Sequence, residues 1–418
     1  MAPGNCCGPA RVRGPGVPDG ATACGHRPQD TEGAVDGPTW FRARGTAVPR
    51  PDGHAPEPEP APHRLPHGPR RVGEPAVSAA ALRPGSPVAF LFTGQGAQYP
   101  GMTARLYRES PTYRRHLDEA SEALLPYTGE SVSTLLLTGD ARVHLTGFTQ
   151  PALFAVGYAL AQTVLEQEVR PGAVLGYSNG EYAAACVSGA LSLADAARLV
   201  ALRGSMMQGL PVGGGMLKVL AGRAEVQRLV DAERTVGIGG VNGPGEIVLS
   251  GELAALARIG GALRERGLTV VPVQVSHGFH SPLMEPVVTG FARGAIRVGG
   301  RVPRLAFYST VRGRRLVGEP LDGPYWTEHI SAPVRFSEAA AAMVRDGYGH
   351  LVEIGPRPAL TRLVSRLGVA EQVRSCGNPV HDAESGVAEL DRLVSEVLQR
   401  TGEPLAPLGD QVREPQAV

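Results

Sequence analysis

Short apolar runs alternate with longer helical patterns along most of this sequence. Apolar runs at residues 87–92, 173–175 and 351–354 are each followed closely by glycine, which is typical of buried strands. Helical periodicity fills the intervals between them, for example at residues 118–125, 150–167 and 194–207. Strands that alternate with helices favour a parallel sheet with helices on both faces.

The pattern changes between residues 213 and 276. There the chain reads as strand, helix, two strands joined by a hairpin at Gly243-Pro244, helix and strand. This βαββαβ order is that of a ferredoxin-like split unit, and it predicts a small subdomain inserted into an α/β-hydrolase-like large one. The three glycines at 213–215 are predicted to form the hinge that leads into it.

Composition divides the chain into three parts. Residues 1–85 are rich in proline, glycine and arginine and predict a disordered tail, a linker or a mis-called start. Residues 86–380 are predicted to form the folded domain, with a large subdomain at 86–212 and 277–380 and a small one at 213–276. Residues 381–418 predict a final helix, at 387–398, and a polar tail.

Charge and cysteine content exclude several classes of protein. The net charge of the 418 residues is +1, so neither nucleic acid nor a charged membrane surface is an expected partner. No apolar run approaches the roughly eighteen residues of a membrane span, and the N-terminus lacks the apolar core of a signal peptide. The five cysteines are scattered without zinc-type pairing, which indicates a reduced, cytoplasmic protein with no metal site.

Ser178 lies in the sequence Gly-Tyr-Ser-Asn-Gly (176–180), between the strand at 173–175 and an alanine-rich helical stretch at 181–187. A serine between two glycines at a strand-to-helix turn is typical of a nucleophile elbow. The same position suits a helix N-cap, and the motif alone does not separate the two interpretations.

A serine nucleophile needs a base and donors for the developing oxyanion. His277 and His280 lie in the loop Ser-His-Gly-Phe-His-Ser-Pro (276–282), where either is a candidate base or an ordinary surface or packing residue. Gln95, held between two glycines after the first strand, and the backbone N–H of Asn179 are candidate oxyanion donors. Gln95 is equally suited to be a plain polar turn residue.

Arg203 occupies an otherwise apolar helix face that it shares with Ala196, Leu199 and Met206. A guanidinium there requires a partner, either a protein carboxylate or an anionic ligand. Arg198, on the same helix, is placed to pair with Asp195.

Four motifs occur in the order and approximate spacing of one family: TGQGAQ (93–98), GYSNGEYAA (176–184), LRGSMMQ (202–208) and HGFHSPLM (277–284). VNGPGEIVLSG (241–251), YWTEHISAPVRF (325–336) and LVEIGPRPAL (351–360) extend the likeness, which covers about residues 87–380. The chain resembles malonyl-CoA:acyl carrier protein transacylases and the acyltransferases of polyketide synthases.

The resemblance implies ping-pong acyl transfer by a Ser–His dyad. Ser178 would be the nucleophile, and His280, oriented by a backbone carbonyl near His329, would be the general base. Gln95 and the backbone of Asn179 would form the oxyanion hole. Arg203 would bind the free carboxylate of a malonyl group. The substrate-binding residues that the resemblance implies are Arg203, Phe279, His277, Asn179, Tyr177, His329 and Asn242.

The same resemblance implies the partners. Malonyl-CoA would be the donor, a phosphopantetheinylated acyl carrier protein the acceptor, and no cofactor would be bound. The chain shows no carrier motif of its own, so we expect a free-standing monomer that acts in trans, in polyketide or fatty acid biosynthesis.

The chain departs from the family's usual residues at Tyr177 (histidine), Asn179 (aliphatic or glutamine) and His329 (glutamine in many single-domain members). Asn179 is expected to face the acyl pocket, so a hydroxy-, methoxy- or aminomalonyl unit is an alternative substrate. An editing acyl hydrolase on the same fold is a second alternative, although retention of Arg203 argues against it. An α/β-hydrolase is disfavoured by the intervening ferredoxin-like segment, and a non-catalytic docking module by the presence of both dyad residues.

Overall fold

The computed structural model describes residues 86–402, so the predicted N-terminal tail and residues 403–418 lie outside the described residues. Within this range the strands are β1 (Val88–Phe92), β2 (Ala173–Gly176), β3 (Gly214–Leu220), β4 (Val236–Gly243), β5 (Glu246–Glu252), β6 (Thr269–Val273), β7 (Ala306–Ser309), β8 (Arg314–Arg315), β9 (His350–Ile354) and β10 (Ser375–Gly377).

The helices of the same range are α1 (Ala104–Glu109), α2 (Pro111–Thr128), α3 (Val132–Leu137), α4 (Thr146–Glu166), α5 (Gly180–Val187), α6 (Leu193–Gln208), α7 (Arg223–Asp231), α8 (Leu253–Glu265), α9 (Glu285–Ala295), α10 (Gly323–Glu328), α11 (Phe336–Arg345), α12 (Leu360–Val364) and α13 (Val387–Thr401). None of them combines the length and apolar content needed to cross a membrane.

The central sheet has the strand order β10-β9-β1-β2-β7-β8, parallel except for the short edge strand β8. Alternate residues of β1 enter different cores: Phe90 and Phe92 pack on one face, and Ala89 and Leu91 on the other. Both faces are therefore covered, as the continuous apolar runs predict. This confirms the α/β class and the buried strands at 87–92, 173–175 and 351–354.

The second sheet is antiparallel, with the order β4-β5-β3-β6. Helices α7 and α8 cover one of its faces through a core that includes Leu217, Val219 and Leu256. The βαββαβ prediction is confirmed. The predicted glycine hinge is only partly correct, because Gly214 and Gly215 are already paired with β5 and only Gly213 precedes the strand.

Two contacts join the sheets close to the Ser178 turn. The hydroxyl of Tyr177, which follows β2, donates to Oδ1 of Asn242 on β4 at 2.8 Å. The backbone of Val334 exchanges hydrogen bonds with Gly239 and Val241 of β4. The segment between α10 and α11 thereby holds the small sheet against the carboxyl edge of the central one, where α/β folds place their sites.

Candidate active site

Ser178 occupies a tight turn between β2 and α5, in the left-handed region at φ 50°. A Cβ on Gly176 would lie 2.2 Å from the backbone nitrogen of Glu181, and one on Gly180 would lie 2.4 Å from the carbonyl oxygen of Phe92. Only glycine fits at both positions, so the two glycines allow the turn to pack against β1. Asn179, not Ser178, occupies the N-cap of α5, and this geometry favours the elbow over the helix cap.

The Ser178 hydroxyl meets His280, as the sequence predicts. Oγ of Ser178 lies 2.7 Å from Nε2 of His280, and Nδ1 of His280 lies 2.8 Å from the carbonyl oxygen of Ala332. A carbonyl only accepts, so Nδ1 carries the proton and Nε2 is left to accept from the serine. The orienting carbonyl was expected near His329; it belongs to Ala332, three residues further along, where the chain turns toward β4.

Burial lowers the pKa of His280 to about 3, and the nearby Arg203 cation acts in the same direction, whereas the bond to Ala332 opposes both. The imidazole is therefore neutral at physiological pH, as a general base must be. His277 is placed differently, with its ring nitrogens beside Oγ of Ser276 (2.8 Å) and the carbonyl oxygen of Leu210 (3.2 Å).

Arg203 is 2% exposed, on α6. Its Nη1 donates to Oε1 of Gln150 at 2.6 Å and its Nη2 to Oγ of Ser178 at 3.4 Å, while Nε has no partner. Among the ion pairs of residues 86–402, none satisfies this guanidinium with a carboxylate. Its pKa is lowered mainly by burial. Of the two partners that the sequence allows, an anionic ligand is the one that this geometry favours.

The neighbouring Arg198 does not form the expected pair with Asp195. That carboxylate instead accepts from Oγ of Ser192, the N-cap of α6, at 2.8 Å. The N-terminal cap of the helix therefore takes the carboxylate that simple i,i+3 spacing assigns to the arginine.

Gln95 is oriented by a chain of side chains on α4. Oγ1 of Thr146 donates to Oε1 of Gln95 at 3.0 Å and accepts from Nε2 of Gln150 at 3.2 Å. Because Gln150 also binds Arg203, one row of polar groups links the candidate oxyanion residue to the guanidinium. Gln150 and Thr146 were not predicted from the sequence, although a glutamine near the start of an otherwise apolar helix is the same signal that identified Arg203.

The backbone and the side chain of Asn179 have different surroundings. Its backbone N–H enters no hydrogen bond among the described residues and lies next to the serine, as an oxyanion donor must. Its side chain is buried, and Nδ2 donates to the carbonyl oxygen of Gln150 at 3.4 Å. The expectation that this side chain faces the acyl pocket is not met, because it extends toward α4.

A buried carboxylate lies beneath the elbow. Oε1 of Glu181 accepts from the backbone N and Oγ1 of Thr310 (2.6 and 2.7 Å), and Oε2 accepts from the hydroxyl of Tyr325. Burial raises the pKa of Glu181 to about 7, and these hydrogen bonds oppose the rise. His329 adds a bond from Nε2 to the carbonyl oxygen of Ser178 at 3.1 Å, and burial keeps its pKa well below the usual value.

These residues support the turn from behind and do not face solvent. Glu181, Thr310 and Tyr325 were not predicted from the sequence either. For Glu181 the sequence does contain a signal, because a carboxylate within the alanine-rich stretch 181–187 indicates a buried charge.

A cavity of about 370 Å³ opens in front of the dyad. Seven of the predicted site residues line it: Gln95, Tyr177, Ser178, Arg203, Asn242, Phe279 and His280. The side chains of Asn179, His277 and His329 do not. Within residues 86–402, no group of three or more histidine, cysteine, aspartate or glutamate side chains is arranged to hold a metal ion.

The fold and the site are those of an α/β enzyme with a serine elbow. A model of the acyl transferase domain matches residues 89–385, which is more than half of the chain, and the chain therefore belongs to the acyl transferase domain family.

Polyketide synthases much longer than this chain are among its relatives. Polyketide synthase GfsB of Streptomyces halstedii is 40% identical over 280 residues, which are 66% of this chain and 5% of that protein. The phenolphthiocerol synthesis polyketide synthase type I Pks15/1 of Mycobacterium marinum is 38% identical over 72% of this chain and 14% of its own length. The chain thus spans only a small part of these relatives.

Solved structures agree on the fold. The acyltransferase domain from the second module of the salinomycin polyketide synthase matches with a TM-score of 0.70 and 36% identity, over 76% of this chain and 74% of that one. FabD from Acinetobacter baumannii matches with a TM-score of 0.68 and 25% identity, over 75% and 99% of the two chains. The α/β architecture with its separate antiparallel sheet is that of acyltransferase domains.

Proposed function

We propose that this chain moves a malonyl-type acyl group from coenzyme A to the phosphopantetheine thiol of an acyl carrier protein, through an ester on Ser178. One observation carries the proposal. Oγ of Ser178 lies between Nε2 of His280, at 2.7 Å, and Nη2 of Arg203, at 3.4 Å, on the wall of one cavity. A base, a nucleophile and a site for an anion therefore meet at one atom.

The first half-reaction forms the ester. Oγ of Ser178 attacks the thioester carbonyl while its proton passes to Nε2 of His280. The backbone N–H of Asn179 and a donor from Gln95 stabilise the oxyanion. Collapse of the intermediate breaks the C–S bond, and the histidine returns the proton to the coenzyme A thiolate. In the second half-reaction the carrier thiol gives its proton to His280 and its sulfur attacks the ester carbonyl. Collapse of this intermediate breaks the C–Oγ bond, and His280 returns the proton to Oγ of Ser178.

Arg203 supports the choice of a dicarboxylic acyl group. Gln150 binds Nη1, which leaves Nε unpartnered and Nη2 with one long contact. Two N–H groups along one edge of a guanidinium match the two oxygens of a carboxylate. An acetyl group would leave the buried charge without this partner, which is costly.

The wall of the cavity supports malonyl as the preferred unit. Phe279 lines the cavity next to His280, where its ring would crowd a substituent on the α-carbon. Discrimination of one methylene is worth only about 1–3 kcal/mol, so slow use of methylmalonyl-CoA is expected. Asn179, on which the hydroxy-, methoxy- and aminomalonyl alternatives depended, turns its side chain away from the cavity and does not support them.

Intact-protein mass spectrometry tests the proposal. Malonyl-CoA should add one malonyl mass to the protein, and Ser178→Ala should abolish the addition. A separately supplied holo-carrier protein should then remove the acyl group and gain it, as trans-acting transfer requires. Release of free malonate without loading of the carrier would favour the editing hydrolase, and acylation of the Ser178→Ala variant would overturn the nucleophile.

A further inference from the structure

One cation in the cavity has no role in the reaction described above. Lys218, the only lysine of the sequence, lies on β3 and lines the same cavity as Ser178. In the register of the small sheet it stands directly between Val248 of β5 and Val271 of β6, both of which also line the cavity. Its immediate neighbours across the sheet are thus apolar.

Strand alternation directs this side chain toward the cavity. Leu217 and Val219, the residues on either side, are buried in the core beneath α7 and α8. Met216 and Lys218 occupy the opposite face of β3, and both line the cavity. The ammonium group of Lys218 is therefore carried on the face of the sheet that receives the substrate.

Within the described part of the chain, no protein anion balances this charge. The residues that line the cavity include two cations, Arg203 and Lys218, and no aspartate or glutamate. Among the ion pairs and hydrogen bonds of residues 86–402, none involves the ammonium of Lys218. A half-buried cation between two valines, without a carboxylate, is the arrangement expected where a ligand supplies the negative charge.

The two cations lie at different distances from the reacting atoms. Arg203 is beside Ser178, whereas β3 begins at Gly214, where an added Cβ would lie 2.5 Å from the backbone nitrogen of Gly278 in the loop of His280. Lys218 comes four residues later, about 13 Å along the strand at about 3.3 Å per residue. The cavity thus offers one cation at the dyad and another well along its wall.

A malonyl thioester has the complementary charge pattern. Its carboxylate lies on one side of the thioester carbonyl, and the phosphate of the pantetheine arm lies at the far end of the other side. We propose that Lys218 binds this phosphate, which coenzyme A and the phosphopantetheine of a carrier protein share. The inference rests on the proposed function, and it adds a second anion site that positions the arm over the small sheet.

The test compares malonyl donors that carry the arm's phosphate with one that lacks it. With malonyl-CoA and with malonyl-phosphopantetheine, Lys218→Met should lower kcat/KM by about 10- to 100-fold, because a charged hydrogen bond is worth about 1.5–3 kcal/mol. With malonyl-pantetheine, which lacks the phosphate, the variant and the unaltered enzyme should be equal. Lys218→Arg should restore most of the loss. Arg228→Met, which removes a positive charge from the exposed surface of α7, is the matched control and should change nothing.

The possible results distinguish the arm's phosphate from the other parts of the donor. An equal loss with malonyl-pantetheine, or a loss confined to malonyl-CoA, would overturn the assignment to the arm's phosphate. KM for holo-carrier protein should rise as well, because its phosphopantetheine carries the same phosphate, and an unchanged KM would overturn a site shared by both half-reactions.

Calorimetric binding of phosphopantetheine to Ser178→Ala, with and without Lys218→Met, measures the phosphate contact without chemistry, and pantetheine, which lacks the phosphate, is the control ligand. Weaker binding in the double variant supports the site even if acyl transfer fails, and equal binding refutes it.

Discussion

The two sheets of this protein are built for different tasks. The central sheet is mostly parallel and buried on both faces, and the elbow that carries Ser178 follows its strand β2. The small sheet is antiparallel and covered by helices on one face only. Its other face lines the cavity and leaves Val271 41% exposed.

This difference follows from what each region must do. Reacting groups need positions fixed to about half an ångström, which close packing from both sides provides. A wall that receives a long substrate must remain open, which a sheet covered on one face allows. The His280 loop connects the two regions: Oγ of Ser250 on β5 donates to the carbonyl oxygen of Phe279, while His280 itself bonds Ala332 beside the central sheet. Substitutions in the two regions should therefore affect different kinetic constants.

The largest effect is expected at the dyad. His280→Ala should lower the rate of Ser178 acylation by malonyl-CoA by about 10²–10⁴-fold, the usual contribution of a general base, with little change in substrate binding. Single-turnover mass spectrometry measures the rate. His277→Ala is the matched control, because that ring bonds Ser276 and Leu210 and does not line the cavity. A larger loss at His277 would reverse the assignment.

Arg203→Ala should have the next largest effect. Loss of a charged hydrogen bond to the malonyl carboxylate predicts a fall of about 10–100-fold in kcat/KM for malonyl-CoA, together with an increase in the relative use of acetyl-CoA. Competition between the two donors measures the ratio. Arg198→Ala, on the same helix but outside the cavity, should leave the ratio unchanged. If Arg203→Ala also leaves it unchanged, the guanidinium does not bind the carboxylate.

A smaller effect is expected where the sheets meet. Tyr177→Phe removes the 2.8 Å hydrogen bond to Asn242 and keeps the ring that packs against Phe336. One neutral hydrogen bond is worth about 0.5–1.5 kcal/mol, which sets the upper limit, so KM for malonyl-CoA should rise by no more than about two- to tenfold with kcat nearly constant. A loss in kcat alone would show that this contact positions the serine and not the wall.

The smallest effect concerns the carboxylate beneath the elbow. The pKa of Glu181 is about 7 in the fold against 4.5 for the free group, so the folded chain keeps a proton that the unfolded chain releases between these values. This carboxylate alone therefore makes the free energy of unfolding fall as pH rises from about 4.5 to 7, whereas the lowered pKa values of His280 and His329 make it rise up to about pH 6.5. Glu181→Gln should remove the falling contribution and change the slope, so that the stability of the variant relative to the unaltered protein rises from pH 5 to pH 7.5, as measured by urea unfolding at the two pH values.

Glu396→Gln, at an exposed position of α13, should keep the slope of the unaltered protein. An unchanged slope in Glu181→Gln would show that this carboxylate does not titrate in that range.

Local sequence patterns identify much of this site. The alternation of short apolar runs with helices predicts three of the six strands of the central sheet, β1, β2 and β9, and the change of pattern at 213–276 predicts the small sheet. The key residues of four short motifs, Ser178, His280, Gln95 and Arg203, do line one cavity.

Predictions from the sequence are wrong where a side chain can bond to more than one neighbouring group. Asn179 is expected to face the pocket and instead bonds the backbone of α4. Arg198 is assigned the carboxylate of Asp195, which instead accepts from the hydroxyl of Ser192, the N-cap of α6.

What the sequence determined by itself is what short-range physics controls. The period of apolar residues set the order of strands and helices, and the glycines at 176 and 180 allowed the serine turn. Only the tertiary structure decided which groups meet, because these contacts join distant segments: Ser178 and His280 are 102 residues apart, and Arg203 and Gln150 are 53 apart. Packing of the two sheets also places the carbonyl oxygen of Ala332 against His280 and leaves Lys218 facing the cavity. A side chain's direction depends on the groups that surround it, and no local pattern contains them.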